Sequence, residues 1–227
     1  MNFRVLFVED DSKIRQVISA SLSDEGFEVV EAPTGEFAIA EVDLTALDLA
    51  IIDLRLPGIN GIDVVRNLRQ RTTMPLVILT AHGESNDVVT GLEAGADDFL
   101  YKPIAAKELV ARLRAILRRA TDSATPDPAV AVSVGSVSID ASLHEASVAG
   151  ARLHLTRTEF GVLRALVQAS PATLSRQELL EAVWGYDYLG DSRLVDMQIY
   201  RIRQKLEAHG LKESLLTVRG VGFKIVP

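Results

Sequence analysis

The sequence has no cysteine and no long hydrophobic run, and each absence excludes a class of protein. Without cysteine there is no disulfide framework, no thiolate metal site and no cysteine nucleophile. No stretch reaches the roughly 18 consecutive apolar residues expected of a transmembrane helix. The acidic run Glu9-Asp10-Asp11 follows the first apolar segment too closely for a signal peptide. We therefore expect a cytoplasmic protein that does not associate with a membrane.

The remaining composition is that of an ordinary globular protein whose charge is unevenly distributed. With 227 residues, 48% of them hydrophobic and 24% charged, the chain can form one large or two small domains. The net charge of −7 comes mainly from residues 1–120, which carry 13 basic and 19 acidic side chains. Residues 192–227 carry 7 basic and 3 acidic side chains, and this local excess of positive charge suits a contact with DNA.

Five apolar runs alternate with amphipathic helical stretches in the first half of the chain. The predicted strands are Arg4–Val8, Phe27–Val30, Leu49–Ile52, Pro75–Leu79 and a fifth that ends at Phe99–Tyr101. A helix is predicted after each strand, and Ser12 is the expected N-cap of the first. This alternation predicts an α/β domain with a parallel sheet covered on both faces, of flavodoxin-like type with strand order 2-1-3-4-5.

A linker is predicted at residues 121–131, between domains at 1–120 and 132–227. It contains small, polar and proline residues and has no periodicity. The strands predicted after it are Val132–Asp140, Glu145–Val148 and Leu153–Leu155, with a closing hairpin of Leu215–Val218 and Phe223–Val226.

Three helices are predicted between these strands. Thr156 and Ser175 each precede an amphipathic stretch and are followed three residues later by Glu159 and Glu178, which is the capping-box pattern. The third helix follows Asp191. Helices closed by a C-terminal hairpin predict an α+β winged helix-turn-helix domain.

Acidic side chains follow two strands of the first domain. Glu9 and Asp10 follow the first strand and Asp53 follows the third, so all three are expected at the carboxyl edge of the sheet. Such carboxylates repel one another unless a cation neutralises them, and hard oxygen ligands suit magnesium (Mg²⁺). Thr80 and Lys102 add a hydroxyl and a cation at the ends of the fourth and fifth strands. Taken singly, the carboxylates could be a solvated acidic loop, Thr80 a strand cap and Lys102 a surface lysine. Taken together, they predict phosphoryl transfer to Asp53.

The same positions resemble the receiver domain of two-component response regulators. The matching residues are Glu9-Asp10, Asp53, Thr80, Phe99 and Lys102-Pro103, and Gly95–Pro103 resembles the OmpR/PhoB family in particular. With the second domain, the resemblance extends over nearly the whole chain. The pattern Asn86-Asp87-Val88-Val89 and the Trp184-Gly185-Tyr186 loop are similar to the MtrA-like branch of that family.

The resemblance implies a role for each of these residues. Asp53 is the phosphoacceptor for a sensor histidine kinase, and Mg²⁺ is held by Glu9, Asp10, Asp53 and the backbone carbonyl of Arg55. Lys102 stabilises the phosphoryl group, and Thr80 and Phe99 form the switch pair.

Dimerisation on phosphorylation is implied through the fourth helix, fifth strand and fifth helix. Asp97, Glu108 and Arg112 are the expected interface residues. Many members of the family carry Arg or Lys at Val88, where it pairs across the dimer with the residue that matches Glu108, so we expect a weaker dimer here. One missing exposed charge pair costs only about 0.2–1 kcal/mol.

Arg193–Leu206 resembles the recognition helix of OmpR-type winged helices. The side chains expected to face the major groove are Arg193, Met197, Gln198, Tyr200, Arg201 and Gln204. Arg219 is expected in the minor groove, on the wing. An ordinary amphipathic surface helix with solvated arginines has the same pattern. The wing motif Thr217–Phe223, at the expected distance downstream, favours DNA binding instead. The expected partner is double-stranded promoter DNA with sites arranged as direct repeats. In this family the loop Trp184–Gly190 contacts RNA polymerase, and Tyr186 and Tyr188 are the candidates.

Two other functions compete with a phosphorylation-switched transcription regulator. An aspartyl-phosphate phosphatase uses a similar site but needs a second carboxylate two residues after its nucleophile, where this chain has Arg55, so we expect no enzyme. A regulator that binds DNA without phosphorylation would use the first domain only for dimerisation, and the complete acceptor site argues against this.

Overall fold

A computed structural model describes residues 3–81, 85–121, 131–185 and 192–227 of the chain. The chain divides into two compact units, Met1–Leu117 and Arg118–Pro227, and each has its own hydrophobic core. Residues 122–130 of the predicted linker lie outside the described residues. No helix in the described ranges is both long and apolar enough to cross a bilayer.

The first unit is built on a five-stranded parallel sheet. Its strands are β1 (Arg4–Val8), β2 (Glu28–Ala32), β3 (Leu49–Asp53), β4 (Leu76–Ala81) and β5 (Asp98–Lys102). Their order is β2-β1-β3-β4-β5, as predicted. Every residue of β3 is buried, because a central strand of a parallel sheet is covered by helices on both faces.

Helices connect these strands. They are α1 (Ser12–Asp24), α2 (Gly35–Ala40), α3 (Gly61–Arg71), α4 (Ser85–Ala94) and α5 (Ala106–Thr121), with a short 3₁₀ turn at Leu44–Ala46. The prediction that Ser12 caps α1 is wrong. The cap is Asp11, whose Oδ1 accepts hydrogen bonds from the backbone amides of Lys13 at 2.8 Å and Ile14 at 3.1 Å. A carboxylate caps a helix as well as a hydroxyl does, and here it stands one residue earlier.

The second unit combines two antiparallel sheets with three helices. In chain order these are β6 (Val132–Val134), β7 (Val137–Asp140), β8 (Glu145–Val148), β9 (Ala151–Leu153), α6 (Arg157–Ala169), α7 (Arg176–Trp184), α8 (Arg193–Glu207), β10 (Leu215–Val218) and β11 (Gly222–Ile225). Strands β6 to β9 form one sheet in sequence order, and β10 and β11 form a hairpin. This is the predicted winged helix-turn-helix architecture.

Two strand predictions in this unit are wrong. The single strand predicted at Val132–Asp140 is two strands, because Gly135 adopts a φ of 57° and turns the chain so that Val134 pairs with Val137. The strand predicted at Leu153–Leu155 lies two residues earlier, at Ala151–Leu153. Both predicted capping boxes are present, at Thr156 with Glu159 and at Ser175 with Glu178.

Candidate functional site

Three carboxylates meet at the carboxyl edge of the parallel sheet. Strands β1 and β3 are neighbours, with Val8 opposite Ile52, so Glu9 and Asp53 come next to each other as the strands end. Candidate ligand atoms of Glu9, Asp10 and Asp53 all lie within 4.8 Å of one another. Glu9 is 1% exposed and Asp53 is 6% exposed, whereas Asp10 is open to solvent. The cluster is therefore buried on one side and accessible on the other.

Lys102 joins this cluster from the end of β5. Its Nζ donates a hydrogen bond to Oε2 of Glu9 at 2.7 Å and another to Oδ2 of Asp53 at 2.8 Å. The two carboxylates are thus held together by one ammonium group that carries less charge than they do. Burial raises the pKa of Glu9 above its usual value, although its hydrogen bond and charge interaction with Lys102 oppose the rise. Burial alone would lower the pKa of Lys102, but its hydrogen bonds and charge interactions with Asp53 and Glu9 together outweigh that effect and raise it.

The backbone around Asp53 is tightly packed. A Cβ atom at Gly61, the first residue of α3, would lie 2.1 Å from the carbonyl oxygen of Asp53. Glycine is required there because α3 begins in direct contact with the end of β3. The backbone amide of Arg55 donates to Oδ1 of Asp53 at 3.2 Å, so the second oxygen of this carboxylate is also oriented. The proposed role of the Arg55 carbonyl as a metal ligand stays a prediction.

Arg15 supports the acidic loop from behind, and the sequence reasoning missed it. Its Nη1 donates to the backbone carbonyl of Glu9 at 2.6 Å and to that of Asp10 at 3.2 Å. Its Nε forms an ion pair with Glu31 of β2 at 3.2 Å. The only signal in the sequence is an arginine four residues after the capping Asp11, which by itself is indistinguishable from a surface charge.

The donor set fits Mg²⁺. It consists of carboxylate oxygens alone, which are the hard ligands that this ion prefers, and the exposed side at Asp10 leaves room for water. The adjacent Asp11 already serves as the cap of α1. It accepts hydrogen bonds from the amides of Ile14 and Lys13, and these lower its pKa. Glu9, Asp10 and Asp53 are therefore the carboxylates that would hold the ion.

The predicted switch residues lie on β4 and β5. Thr80 is fully buried and Phe99 is 5% exposed. In the register of the two strands, Ile78 is opposite Phe99 and Thr80 is opposite Tyr101. The rings of Phe99 and Tyr101 are in edge-to-face contact, with centroids 5.3 Å apart. Tyr101, to which no role was assigned, is thus the aromatic residue paired directly with Thr80.

The predicted dimer residues have different environments. The prediction that Asp97 is available to a partner is wrong, because it is 2% exposed, forms an ion pair with Arg69 and accepts a hydrogen bond from the amide of Leu76. Val88 is fully buried, so this position carries no exposed interface charge. Glu108 is exposed on α5, and one of its carboxylate oxygens accepts from Nη2 of Arg112 at 3.1 Å. Those two residues remain candidates for the interface.

Helix α8 presents most of the side chains predicted to contact DNA. Its apolar face is formed by Leu194, Val195, Ile199, Ile202 and Leu206, all buried. Tyr200, Gln204 and Arg219 are exposed, while Arg193, Met197 and Arg201 are half-buried.

The outward orientation predicted for Gln198 is wrong. Its side chain is fully buried, because it lies three residues after Val195 and four before Ile202, inside the apolar face. It cannot reach a groove in this structure. Trp184, at the end of α7, is buried, at 2% exposure. Tyr186 and Tyr188 lie outside the described residues.

Comparisons with known proteins agree with both units. Residues 5–114 match the family described as response regulator receiver domain, and residues 150–225 match the family described as transcriptional regulatory protein, C terminal. The DNA-binding response regulator MtrA of Mycolicibacterium smegmatis is 43% identical over 228 residues, which cover 100% of this chain and 98% of that protein. The sensory transduction protein RegX3 of Mycobacterium bovis is 40% identical, over 97% of this chain and 98% of that protein.

Solved structures of other proteins are similar to this chain. A cysteine-to-serine mutant of RitR superposes with a TM-score of 0.79 at 27% identity, over 99% of each chain. The response regulator DrrB of Thermotoga maritima, described as an OmpR/PhoB homolog, gives a TM-score of 0.52 at 28% identity over 100% of each chain.

Proposed function

This chain belongs to the OmpR/PhoB-type response regulators, the DNA-binding regulators of two-component systems, and from that premise we propose that phosphorylation of Asp53 by a sensor histidine kinase controls its binding to DNA. The first unit accepts the phosphoryl group, and the second binds the promoter. We place both events in the cytoplasm, where the kinase domain and the DNA are accessible.

The observation that carries this proposal is the contact of Lys102 with both Asp53 and Glu9, at 2.8 and 2.7 Å. The Asp53 carboxylate is fixed through both oxygens, one by Lys102 and the other by the amide of Arg55. It is therefore oriented to attack phosphorus in line as the bond to the kinase histidine breaks, and the electron pair of that bond returns to the imidazole. Glu9, Asp10 and Asp53 would hold Mg²⁺, which when bound would supply positive charge for the phosphoryl oxygens.

The attached phosphoryl group changes which contacts Lys102 can make. Its ammonium group serves Glu9 and Asp53 before the reaction, and a phosphoryl oxygen is a competing acceptor afterwards. Thr80 lies one residue beyond Leu79, the residue of β4 paired with Asp53. We propose that its hydroxyl moves to the phosphoryl group, that Phe99 turns inward, and that the face formed by α4, β5 and α5 then favours a dimer.

A dimer explains how phosphorylation strengthens DNA binding. Two copies present two α8 helices and two wings to repeated sites, and binding by the first raises the effective concentration of the second. Tyr200, Arg201, Gln204 and Arg219 are the side chains proposed to contact DNA, and the loop containing Tyr186 and Tyr188 is proposed to contact RNA polymerase. We propose no enzymatic turnover, because Arg55 occupies the position where a phosphatase of this chemistry needs a carboxylate.

The test compares wild type with Asp53→Ala in DNA affinity and oligomeric state, with and without acetyl phosphate and Mg²⁺. The matched control is Asp63→Ala, since Asp63 is an exposed carboxylate of α3 paired with Arg66. We expect the donor to tighten binding and produce dimers in wild type and in the control but not in Asp53→Ala. Equal binding and dimerisation of all three proteins without the donor would show that the first unit is a constitutive dimerisation module.

A further inference from the structure

The β10–β11 wing is attached to the rest of the second unit at Phe223. Its backbone exchanges two hydrogen bonds with Leu174, just before α7, at 2.8 and 2.9 Å. A Cβ atom at the preceding residue, Gly222, would lie 1.9 Å from the Leu174 carbonyl oxygen. Only glycine allows this approach, so β11 and the start of α7 are held together through the main chain.

The ring of Phe223 contacts guanidinium groups of two helices. The Cζ atom of Arg176, the first residue of α7, is 4.8 Å from the ring centroid, and that of Arg203, on α8, is 5.9 Å away. Both distances are within the range of cation–π attraction. Arg176 also reaches α8, where its Nη2 donates to Oδ1 of Asp196 at 2.7 Å. Helices α7 and α8 therefore both contact Phe223 of the wing, which is 2% exposed.

Arg203 makes the most direct connection between α8 and the wing. Its Nε donates to the backbone carbonyl of Leu215 at 3.0 Å, and its Nη2 donates to Oγ1 of Thr217 at 2.8 Å. The guanidinium thus spans two residues of β10, through the backbone carbonyl of Leu215 and the side chain of Thr217. This two-point contact fixes the position of β10 along α8 as well as its distance from it.

Arg219 lies in the short turn that directly follows this anchored strand. The amide of Val221 donates to the carbonyl of Val218 at 3.0 Å, and Gly220 adopts a φ of 72°, so the turn has little freedom of its own. Arg219 stands two residues after Thr217. Its place relative to α8 is consequently set by what holds Thr217.

We propose that Arg203 is a positioning residue, which holds the wing and with it Arg219 at a fixed place beside α8 so that helix and wing bind DNA together. This role rests on the DNA binding proposed above. Unlike a phosphate-binding arginine, Arg203 is half-buried and uses Nε and Nη2 inside its own unit. Its effect on affinity therefore passes through Arg219.

A double-mutant cycle in the full-length protein, with acetyl phosphate and Mg²⁺ present throughout, tests this. The variants are Arg203→Met, Arg219→Ala and the double variant, and the probe is the duplex that wild type selects from a random-sequence pool. We expect each single variant to lose about tenfold or more in affinity, the scale of one arginine contact in a groove. We expect the affinity of the double variant to stay within about twofold of that of Arg219→Ala. Once the Arg219 contact with DNA is absent, displacing the wing should cause no further loss of affinity. The matched control is Lys212→Met, which removes an exposed charge outside this network and leaves affinity nearly unchanged.

The dependence of affinity on salt gives a second readout. If Arg203 contacted a phosphate directly, Arg203→Met would make the negative slope of log K against log salt less steep by about 0.9. The same change would appear when Arg203→Met is added to Arg219→Ala. Positioning predicts that the slope of Arg219→Ala is unchanged by the second substitution. If Arg203→Met unfolds the domain, Thr217→Val removes one accepting hydroxyl and keeps the cycle measurable, with a smaller loss that likewise vanishes in Arg219→Ala.

The outcomes separate this inference from the proposal on which it rests. If losses multiply in the double variant, or Arg203→Met binds like wild type, the positioning role is refuted while DNA binding stands. If wild type selects no sequence from the pool, the proposed DNA binding is refuted, and this role for Arg203 with it.

Discussion

Replacing Lys102 by methionine should make the first unit unstable in a way that depends on pH and on Mg²⁺. The substitution keeps the aliphatic chain but leaves Glu9 and Asp53, which are 1% and 6% exposed, without their shared ammonium group. Breaking a fully buried ion pair costs about 3–5 kcal/mol. Because 22% of the Lys102 side chain is exposed, we expect about 2–4 kcal/mol at pH 7.5. For a domain of this size, that corresponds to a fall in Tm of about 8–16 °C.

The pH dependence follows from Glu9. Burial raises its native pKa above the 4.5 of the unfolded chain, and Lys102 limits that rise. Without Lys102 the native pKa rises further, so the native state binds the proton more tightly than the unfolded state does. The stability linked to this proton is fully present below pH 4.5 and is lost as the pH rises through the native pKa. The deficit of Lys102→Met should therefore be larger at pH 8 than at pH 5.

Thermal unfolding by calorimetry and circular dichroism measures these effects. The sole tryptophan, Trp184, lies in the second unit, so its fluorescence identifies the transition of that unit. Lys107→Met is the matched control, since this exposed lysine of α5 should be replaced with little loss. Millimolar Mg²⁺ should reduce the deficit, and Asp53→Asn should recover much of it in the Lys102→Met background. If Lys102→Met is as stable as wild type at pH 7.5, or its deficit is equal at pH 5 and pH 8, the electrostatic account is refuted.

Two further substitutions test the units separately. Arg69→Ala removes the ion pair of the buried Asp97 and should destabilise the first unit by about 3–5 kcal/mol. Arg114→Ala removes an exposed ion pair and should cost less than about 1 kcal/mol. Equal losses in urea denaturation would contradict the stabilising role of the buried pair. Burial, and then the charges of Arg164 and Arg157, lower the pKa of His144 below 6.5. The unfolded chain therefore binds this proton more readily than the native state does. The second unit should consequently lose stability as the pH falls through 6.5. His144→Gln should remove that loss. The measurement is urea denaturation at pH 7.5 and 5.5, followed by Trp184 fluorescence. An unchanged loss of stability in the variant would refute the role given to His144.

The sheet and both capping boxes could be predicted because their signals are local. Apolar runs of strand length placed β1 at its observed bounds, and the three-residue spacing of Thr156 and Glu159 identified the start of α6. The grouping of Glu9, Asp53 and Lys102 followed from the parallel order of the strands, since their carboxyl ends share one edge.

Two of the errors at candidate site residues concern side chains that are buried. Asp97 was assigned to an interface by resemblance to the family, but its partner Arg69 lies 28 residues earlier, on α3. Gln198 was assigned to DNA as a polar side chain outside the apolar face, but its spacing from Val195 and Ile202 places it inside that face. Periodicity was the better guide there, because a helix buries a face about 100° wide whatever its residues are.

The distances along the chain between Glu9, Asp53 and Lys102 have a consequence for biosynthesis. Lys102 lies 93 residues after Glu9 and 49 after Asp53, yet it touches both. A growing chain that has made β1 and β3 but not β5 has the carboxylates without their cation, and closing contacts between such distant residues is slow. On the function proposed here, a receiver that is truncated or incompletely folded cannot accept a signal. The acceptor site thus restricts signalling to molecules whose first unit is complete.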